Sequence, residues 1–94
     1  MAGDGGNRFP RPRKRFGQHF LTDQKSLERI VEALGPESTD TVVEIGPGRG
    51  ALTDLLSARS GRLVAIEIDR DLVGHLRERY PDRDKVEVVE GDEL

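Results

Sequence analysis

Three glycines occupy alternate positions directly after a run of β-branched residues, within TVVEIGPGRGALTDLL (residues 41–56). β-Branched residues favour a strand, and the leucines that follow have the spacing of a helix. Glycine suits a backbone that turns sharply or approaches a ligand closely. The stretch therefore predicts a strand, a tight glycine-rich loop and a helix, which together form the opening unit of an α/β sheet.

The rest of the chain continues this alternation. We predict a first helix that Thr22 or Asp23 caps and Gly35-Pro36 ends, with its apolar residues on one face: Leu27, Ile30, Val31 and Leu34. Further strands are predicted at 41–45, 62–68 and 86–89, and further helices at 51–58 and 70–80. This order predicts a parallel sheet with right-handed crossovers, the front half of a doubly wound α/β fold with helices on both faces.

Composition limits what such a chain can be. Its 94 residues suggest at most one small domain, and a charged content of 35% is high for a self-contained globule. We expect the N-terminal part of a larger domain, since three parallel strands leave an edge that a full fold covers. The absence of cysteine excludes disulfides and thiolate zinc sites, and no metal is expected. We predict no membrane association and a cytoplasmic location, because neither a long apolar run nor a signal peptide is present.

Charge is distributed unevenly along the chain. Residues 1–20 contain five basic residues and one acid, whereas the remainder contains 10 basic and 17 acidic residues. Residues 1–12, rich in Gly, Pro and Arg, are predicted to be a disordered basic tail. A basic arm on an acidic body is typical of contact with a polyanion, but on charge alone a solubilising tail is an equally good interpretation.

Acidic residues follow the loop at the carboxyl ends of the predicted strands. Gly46, Gly48 and Gly50 follow the first strand, Glu67 lies near the end of the second, and Asp92 follows the third. Ligands of open α/β sheets bind at this edge, where a carboxylate about 20 residues after the loop can accept hydrogen bonds from ribose hydroxyls. Asp92 is placed to accept a hydrogen from an adenine amino group. Together these residues predict a site for an adenosine-containing ligand, although each alone is as well explained by a turn, a solvated acid or a helix cap.

The spacing of the loop discriminates between such ligands. A dinucleotide fingerprint has the pattern G-x-G-x-x-G, but here the third glycine comes one position early and Pro47 has no N–H to donate. Glu44, just before the loop, would repel a pyrophosphate and suit an ammonium group, although it could instead bond to loop amides. S-Adenosylmethionine carries an adenosine, an ammonium and a sulfonium but no phosphate, so the sequence favours it over NAD.

Four segments in order resemble motifs of the ribosomal RNA adenine dimethyltransferase family: FGQHFLTDQ (16–24), VVEIGPGRGALTDLL (42–56), IEID (66–69) and VEVVEGDEL (86–94). The resemblance covers residues 13–94 and implies the N-terminal part of a Rossmann-like, S-adenosylmethionine-dependent methyltransferase domain. It implies dimethylation of N6 of two adjacent adenosines near the 3′ end of small-subunit (16S) ribosomal RNA, with the pre-30S particle as partner. The erythromycin-resistance methylases of large-subunit RNA share the pattern.

The resemblance also implies roles for individual residues. Gln18, His19 and Leu21 would line the methionine end of the cofactor, although His19 departs from the asparagine common in the family. Gly46 and its loop would contact the cofactor through the backbone, Glu67 would hold the ribose and Asp92 would meet the adenine amino group. An RNA-facing arm would use basic residues to contact phosphates: Arg11, Arg13, Lys14 and Arg15.

The family's catalytic segment, Asn/Asp-Leu-Pro-Tyr/Phe, does not occur in these 94 residues. We therefore expect the chain to carry a cofactor half-site and to methylate no RNA by itself. Two other functions remain open at this point, an NAD-binding Rossmann half-domain and a non-catalytic RNA-binding module.

Overall fold

The structure, a computed structural model, describes residues 23–94 as a three-stranded parallel sheet with helices packed on it. The strands are adjacent in the order β1-β2-β3. In chain order the elements are α1 (Gln24–Leu34), β1 (Thr41–Ile45), α2 (Ala51–Arg59), β2 (Arg62–Glu67), α3 (Arg70–Arg79) and β3 (Val86–Glu90), followed by a 3-10 turn at Gly91–Glu93. The predicted order of elements is confirmed, and the predicted ends of strands and helices are shifted by no more than a residue.

Local capping explains where the helices begin and end. Asp23 caps α1 by accepting the backbone N–H of Lys25, and Asp69 caps α3 by accepting those of Asp71 and Leu72. Gly35 ends α1 in the left-handed conformation, with a φ of 63°. These residues satisfy backbone groups that a helix end leaves without partners. Asp23, one of the two predicted caps of α1, is therefore the cap, and Gly35 ends the helix as predicted.

β2 is the centre of the sheet. Its Leu63 pairs with Val42 on one side and with Val86 on the other, and the side chains of Leu63 and Ala65 are fully buried. Parallel neighbours need a crossover connection, and two crossovers of the same hand that step in one direction put their helices on one face. α2 and α3 lie on such a common face, and all three strands end at the same edge of the sheet.

The core lies between this face of the sheet and the helices. α1 reaches the core by packing on α2. The core side chains are Val31, Leu56, Leu63, Val73, Leu76, Val86 and Val88. None of the helices within residues 23–94 is long and apolar enough to cross a membrane.

β1 is less buried than its apolar sequence predicts. Val43 and Ile45 are 57% and 74% exposed, and Glu44 is the buried residue of this strand. The reason is topological, because β1 is an edge strand and the described helices cover only the opposite face of the sheet. Leu34, predicted for the inner face of α1, is the last residue of that helix and is also mostly exposed.

Replacing glycine by alanine is expected to change stability in opposite directions at Gly61 and at Gly74. A Cβ at Gly61 would lie 2.3 Å from the backbone oxygen of Ser38, whereas a Cβ at Gly74, within α3, would meet nothing within 4 Å. We expect Gly61→Ala to lower the free energy of unfolding by about 1–3 kcal/mol, the usual cost of overpacking. Gly74→Ala should raise it by about 0.5–1 kcal/mol, because alanine is the better helix former. Urea denaturation measures both, and effects of the same sign would contradict this packing.

Candidate functional site

The glycine loop, residues 46–50, follows β1 at the carboxyl edge of the sheet. Gly46, Gly48 and Gly50 have φ values of 69°, 61° and 98°, which L side chains rarely adopt. The Gly46 N–H donates to the Ile66 carbonyl oxygen at 2.8 Å, and the Gly50 N–H donates to the Pro47 carbonyl oxygen at 3.0 Å. The conformation of the loop thus depends on glycine at all three positions.

The three glycines differ in what surrounds them. A Cβ at Gly46 or Gly48 would meet nothing within 4 Å, whereas a Cβ at Gly50 would lie 3.2 Å from both Leu76 Cδ2 and the Tyr80 hydroxyl. The first two glycines therefore border open space, where a ligand can lie against the backbone. Gly50 faces α3 instead, and its missing side chain permits that close approach.

Glu67, the last residue of β2, connects the loop to α3. It is 6% exposed. Its Oε1 accepts the N–H of Gly48 at 3.0 Å, and its Oε2 accepts the N–H of Asp69 at 3.0 Å. A carboxylate offers about four lone-pair positions, so each oxygen keeps capacity for a further donor. The carboxylate therefore lies against the loop and can still accept hydrogen bonds from a hydroxylated ligand.

Glu44 is a second carboxylate buried beside the loop, and it is 8% exposed. Its Oε1 accepts the hydroxyl hydrogen of Thr53, a fully buried residue of α2, at 2.7 Å. Burial raises the pKa of the Glu44 carboxyl, and the Thr53 hydrogen bond opposes this shift. Among residues 23–94 no donor reaches Oε2, so the bond to loop amides considered from the sequence is not formed there. Glu44 therefore keeps one buried oxygen available for a cationic group.

The third predicted acid, Asp92, is exposed in the 3-10 turn that follows β3. This turn packs closely against the residue that follows β2, since a Cβ at Gly91 would lie only 2.7 Å from Ile68 Cγ2. The structure thus places Asp92 at the same edge of the sheet as Glu67 and the glycine loop.

Sequence reasoning missed a further buried acid at this edge. Glu90 is 9% exposed, pairs in register with Glu67, and forms an ion pair with Arg70 at 3.3 Å. The alternation in VEVVE carried the relevant signal, because it places Glu90 on the same inward face as Val86 and Val88.

A cluster of three side chains, which sequence reasoning also missed, ties the loop to α3. The Tyr80 hydroxyl lies within hydrogen-bonding distance of the Asp54 carboxylate and of the Gly50 carbonyl oxygen, the latter at 3.3 Å. The Arg79 guanidinium donates to the other Asp54 oxygen and, at 2.9 Å, to the Arg49 carbonyl oxygen. Burial, followed by the hydrogen bond to Asp54, raises the pKa of Tyr80. We call Asp54, Arg79 and Tyr80 the loop anchor.

The other predicted site residues lie outside the described part of the chain. They are Gln18, His19 and Leu21 of the predicted cofactor site, and Arg11, Arg13, Lys14 and Arg15 of the predicted arm. The predicted disordered tail, residues 1–12, also lies outside it. Between residues 23 and 94, no three His, Asp or Glu side chains are grouped so that they could hold a metal ion.

Comparison with known proteins identifies the family. A family model described as "Ribosomal RNA adenine dimethylase" matches residues 10–94. The chain belongs to this family. The match includes the glycine loop and the three acids predicted for the cofactor site, Glu44, Glu67 and Asp92.

Similar proteins include two bacterial enzymes named ribosomal RNA small subunit methyltransferase A. The protein from Coxiella burnetii is 52% identical over 82 residues, which cover 87% of this chain and 32% of the relative. The protein from Bordetella pertussis is 57% identical over 82 residues, which cover 87% of this chain and 31% of the relative. The chain thus spans about a third of the length of these relatives.

Two solved structures resemble the fold. The 23S rRNA methyltransferase ErmE matches with a TM-score of 0.68 and 38% identity, over 74% of this chain and 29% of that chain. A dimethyladenosine transferase from Plasmodium falciparum matches with a TM-score of 0.63 and 34% identity, over 69% of this chain and 24% of that chain. The described residues therefore have the Rossmann-like fold of methyltransferases.

The buried carboxyl of Glu44 predicts a pH-dependent effect. Its pKa in the folded chain is raised above the ordinary 4.5, so the folded state binds the proton more tightly than the unfolded state. The resulting stabilisation is complete below the ordinary value and is lost as the pH rises through the raised value. We therefore expect the stability of Glu44→Gln, relative to the unmodified chain, to increase as the pH rises from about 4 to about 8.

Urea denaturation across this pH range measures the difference. Glu32→Gln, which removes an acid from the exposed surface of α1, controls for the loss of one negative charge. A difference between Glu44→Gln and the unmodified chain that stays constant with pH would contradict the burial of an ionisable Glu44.

Proposed function

We propose that this chain is the cofactor-binding N-terminal part of an S-adenosylmethionine-dependent RNA methyltransferase. The enzyme would dimethylate N6 of two adjacent adenosines near the 3′ end of small-subunit (16S) ribosomal RNA, in the pre-30S particle and in the cytoplasm. Membership of the family supports the reaction type. The relatives named as small-subunit methyltransferases, at 52% and 57% identity, support small-subunit over large-subunit RNA.

One observation carries the proposal: a buried carboxylate lies directly against a glycine loop that borders open space. Glu67 accepts the N–H of Gly48 at 3.0 Å, and a Cβ at Gly46 or Gly48 would meet nothing within 4 Å. An adenosine ligand needs this pairing, because its ribose requires acceptors for two hydroxyls and its bulk requires room beside the backbone.

The residues present fit S-adenosylmethionine, which supplies a methyl group on a positively charged sulfur. Glu67 would hold the ribose hydroxyls, and Gly46 and Gly48 would let the ligand approach the backbone. Glu44 offers a buried, negatively charged oxygen to the ammonium or sulfonium. Asp92, at the neighbouring turn, would accept a hydrogen of the adenine amino group. Gln18, His19 and Leu21 are proposed for the methionine end by family resemblance.

Hydrogen bonds within the loop argue against the NAD alternative. A phosphate-binding loop needs free N–H groups, but those of Gly46, Gly48 and Gly50 all donate within the chain. Pro47 has none to donate. Glu44 and Glu67 add negative charge beside the loop, which favours a cationic ligand over a pyrophosphate.

Titration with S-adenosylhomocysteine, the product of the cofactor, tests this site. We expect amide NMR signals of Gly48, Glu67 and Asp92 to shift on addition of this ligand and to remain unchanged on addition of NADH. Glu67→Gln should weaken binding at least tenfold, because hydrogen bonds to a charged group contribute about 1.5–3 kcal/mol. Glu78→Gln removes an acid from the exposed surface of α3 and should leave the affinity unchanged.

The outcomes separate the candidate functions. Shifts caused by NADH instead would favour a dinucleotide-binding half-domain. RNA binding without any response to either ligand would favour a non-catalytic RNA-binding module. An unchanged affinity in Glu67→Gln would contradict the role proposed for this carboxylate.

We also propose that the basic arm contacts RNA phosphates. Replacing Arg11, Arg13, Lys14 and Arg15 together by glutamine should weaken binding to a small-subunit RNA 3′ fragment. The slope of log affinity against log salt should become shallower by about 3, since each phosphate contact contributes about 0.7–0.9. Filter binding at several salt concentrations measures this slope.

The control for a change of net charge replaces, again by glutamine, three arginines and one lysine that are exposed on the described part of the chain: Lys25, Arg29, Arg59 and Arg83. A salt slope that is the same in the arm variant and the unmodified chain would instead support a solubilising tail.

A further inference from the structure

The glycine loop is contacted on two sides, and on both sides the contacting groups come from β2 and α3. At the front of the loop, the carboxylate of Glu67 accepts the N–H of Gly48, and the Ile66 carbonyl oxygen accepts the N–H of Gly46. At the back, the C-terminal end of α3 reaches the carbonyl oxygens of Arg49 and Gly50. The loop connects β1 to α2, yet these contacts come from the next strand and helix along the chain.

The loop anchor, Asp54, Arg79 and Tyr80, makes the contacts at the back. Arg79 donates to the Arg49 carbonyl oxygen at 2.9 Å, and the Tyr80 hydroxyl lies 3.3 Å from the Gly50 carbonyl oxygen. Asp54, in the first turn of α2, receives hydrogen bonds from both side chains. It therefore joins the two donors to the helix that the loop leads into.

The contact is also close sterically. A Cβ at Gly50 would lie 3.2 Å from the Tyr80 hydroxyl and from Leu76 Cδ2, so the end of the loop packs directly on α3. Arg79 lies over the Tyr80 ring, with its guanidinium carbon 5.6 Å from the ring centroid. Arg79 thus donates to the loop backbone directly. Tyr80 donates its single hydroxyl hydrogen to Asp54 and packs against Gly50.

We propose that Tyr80 and Arg79, through Asp54, are positioning residues for cofactor binding. They hold the back of the glycine loop so that Gly46 and Gly48 are already in their ligand-binding conformation before the ligand arrives. This inference rests on the proposed function of the loop. The affinity of a protein falls in proportion to the fraction of molecules in the binding-competent conformation, so loss of the anchor weakens binding without removing any group that touches the ligand.

Two arginines of α3 provide a matched comparison. Arg79 donates to the loop, whereas Arg77 donates to the Val88 carbonyl oxygen on β3 at 3.0 Å and 3.3 Å. Both bind a backbone carbonyl from the same helix, but only Arg79 contacts the loop. Both substitutions remove a guanidinium bond to a backbone carbonyl, one at the loop and one away from it. Arg79→Gln also removes the ion pair with Asp54, which belongs to the loop anchor.

The test measures amide hydrogen exchange and S-adenosylhomocysteine affinity in three variants of the full chain: Tyr80→Phe, Arg79→Gln and Arg77→Gln. In the first two we expect protection of the Gly48 and Gly50 amides, relative to Ala65 in β2, to fall about tenfold, and affinity to fall by a similar factor. Arg77→Gln should change neither the relative protection of the loop nor the affinity. General destabilisation would change the protection of Ala65 together with that of the loop.

Two results would overturn the inference: unchanged loop protection and affinity in both Tyr80→Phe and Arg79→Gln, or an equal loss in Arg77→Gln. If the unmodified chain bound no S-adenosylhomocysteine, the proposed function would fail. The exchange measurements on the ligand-free chain would still decide whether the anchor holds the loop.

Discussion

The parallel pairing of β2 with both of its neighbours determines where the rest of the described chain lies. This pairing brings the carboxyl ends of all three strands to one edge of the sheet. The crossovers that it requires carry α2 and α3 onto one face, where Leu63 and Ala65 are fully buried. The end of the central strand therefore meets the glycine loop on one side and the turn after β3 on the other. Glu67 occupies that position, which explains how a single carboxylate contacts both the loop and the cap of α3.

Three acids of the described chain are buried at this edge, and their burial has a free-energy cost. Glu44, Glu67 and Glu90 are each no more than 9% exposed, and burying a carboxylate costs free energy unless donors compensate it. The chain supplies partial compensation through the Thr53 hydroxyl, two backbone N–H groups and the Arg70 guanidinium. Apolar side chains would fill the same space with less electrostatic cost. Glu44 and Glu67 lie beside the glycine loop, which fits the ligand site proposed above.

Local patterns were sufficient to predict the elements but not the contacts between them. The cap at Asp69 and the strand TVVEI each depend on residues only a few positions away, and both predictions of secondary structure are confirmed. The exposure of Val43 was not predictable, because an apolar run looks the same in a central strand and in an edge strand. Tyr80 and Asp54 lie 26 residues apart in the chain, and their contact exists only because α3 packs beside the start of α2. Such long-range polar contacts leave no periodic signal in a sequence.

The three glycines of the loop are evenly spaced in the sequence but have two different roles: one packs against α3, and two leave room for a ligand. Gly50 combines a positive φ with tight packing on α3, where a Cβ would lie 3.2 Å from two side chains, whereas Gly46 and Gly48 are open to the space beyond the sheet. The N–H groups of all three already donate within the chain, so these glycines contribute close approach more than hydrogen bonds to a ligand. Side chains around the loop must then supply much of the recognition. At the open part of the loop, the described side chain that bonds to the backbone is the Glu67 carboxylate, which accepts the Gly48 N–H. A loop that lets a ligand approach closely, with the buried carboxylates of Glu44 and Glu67 beside it, favours a ligand with hydroxyl and cationic groups over one bound through phosphate.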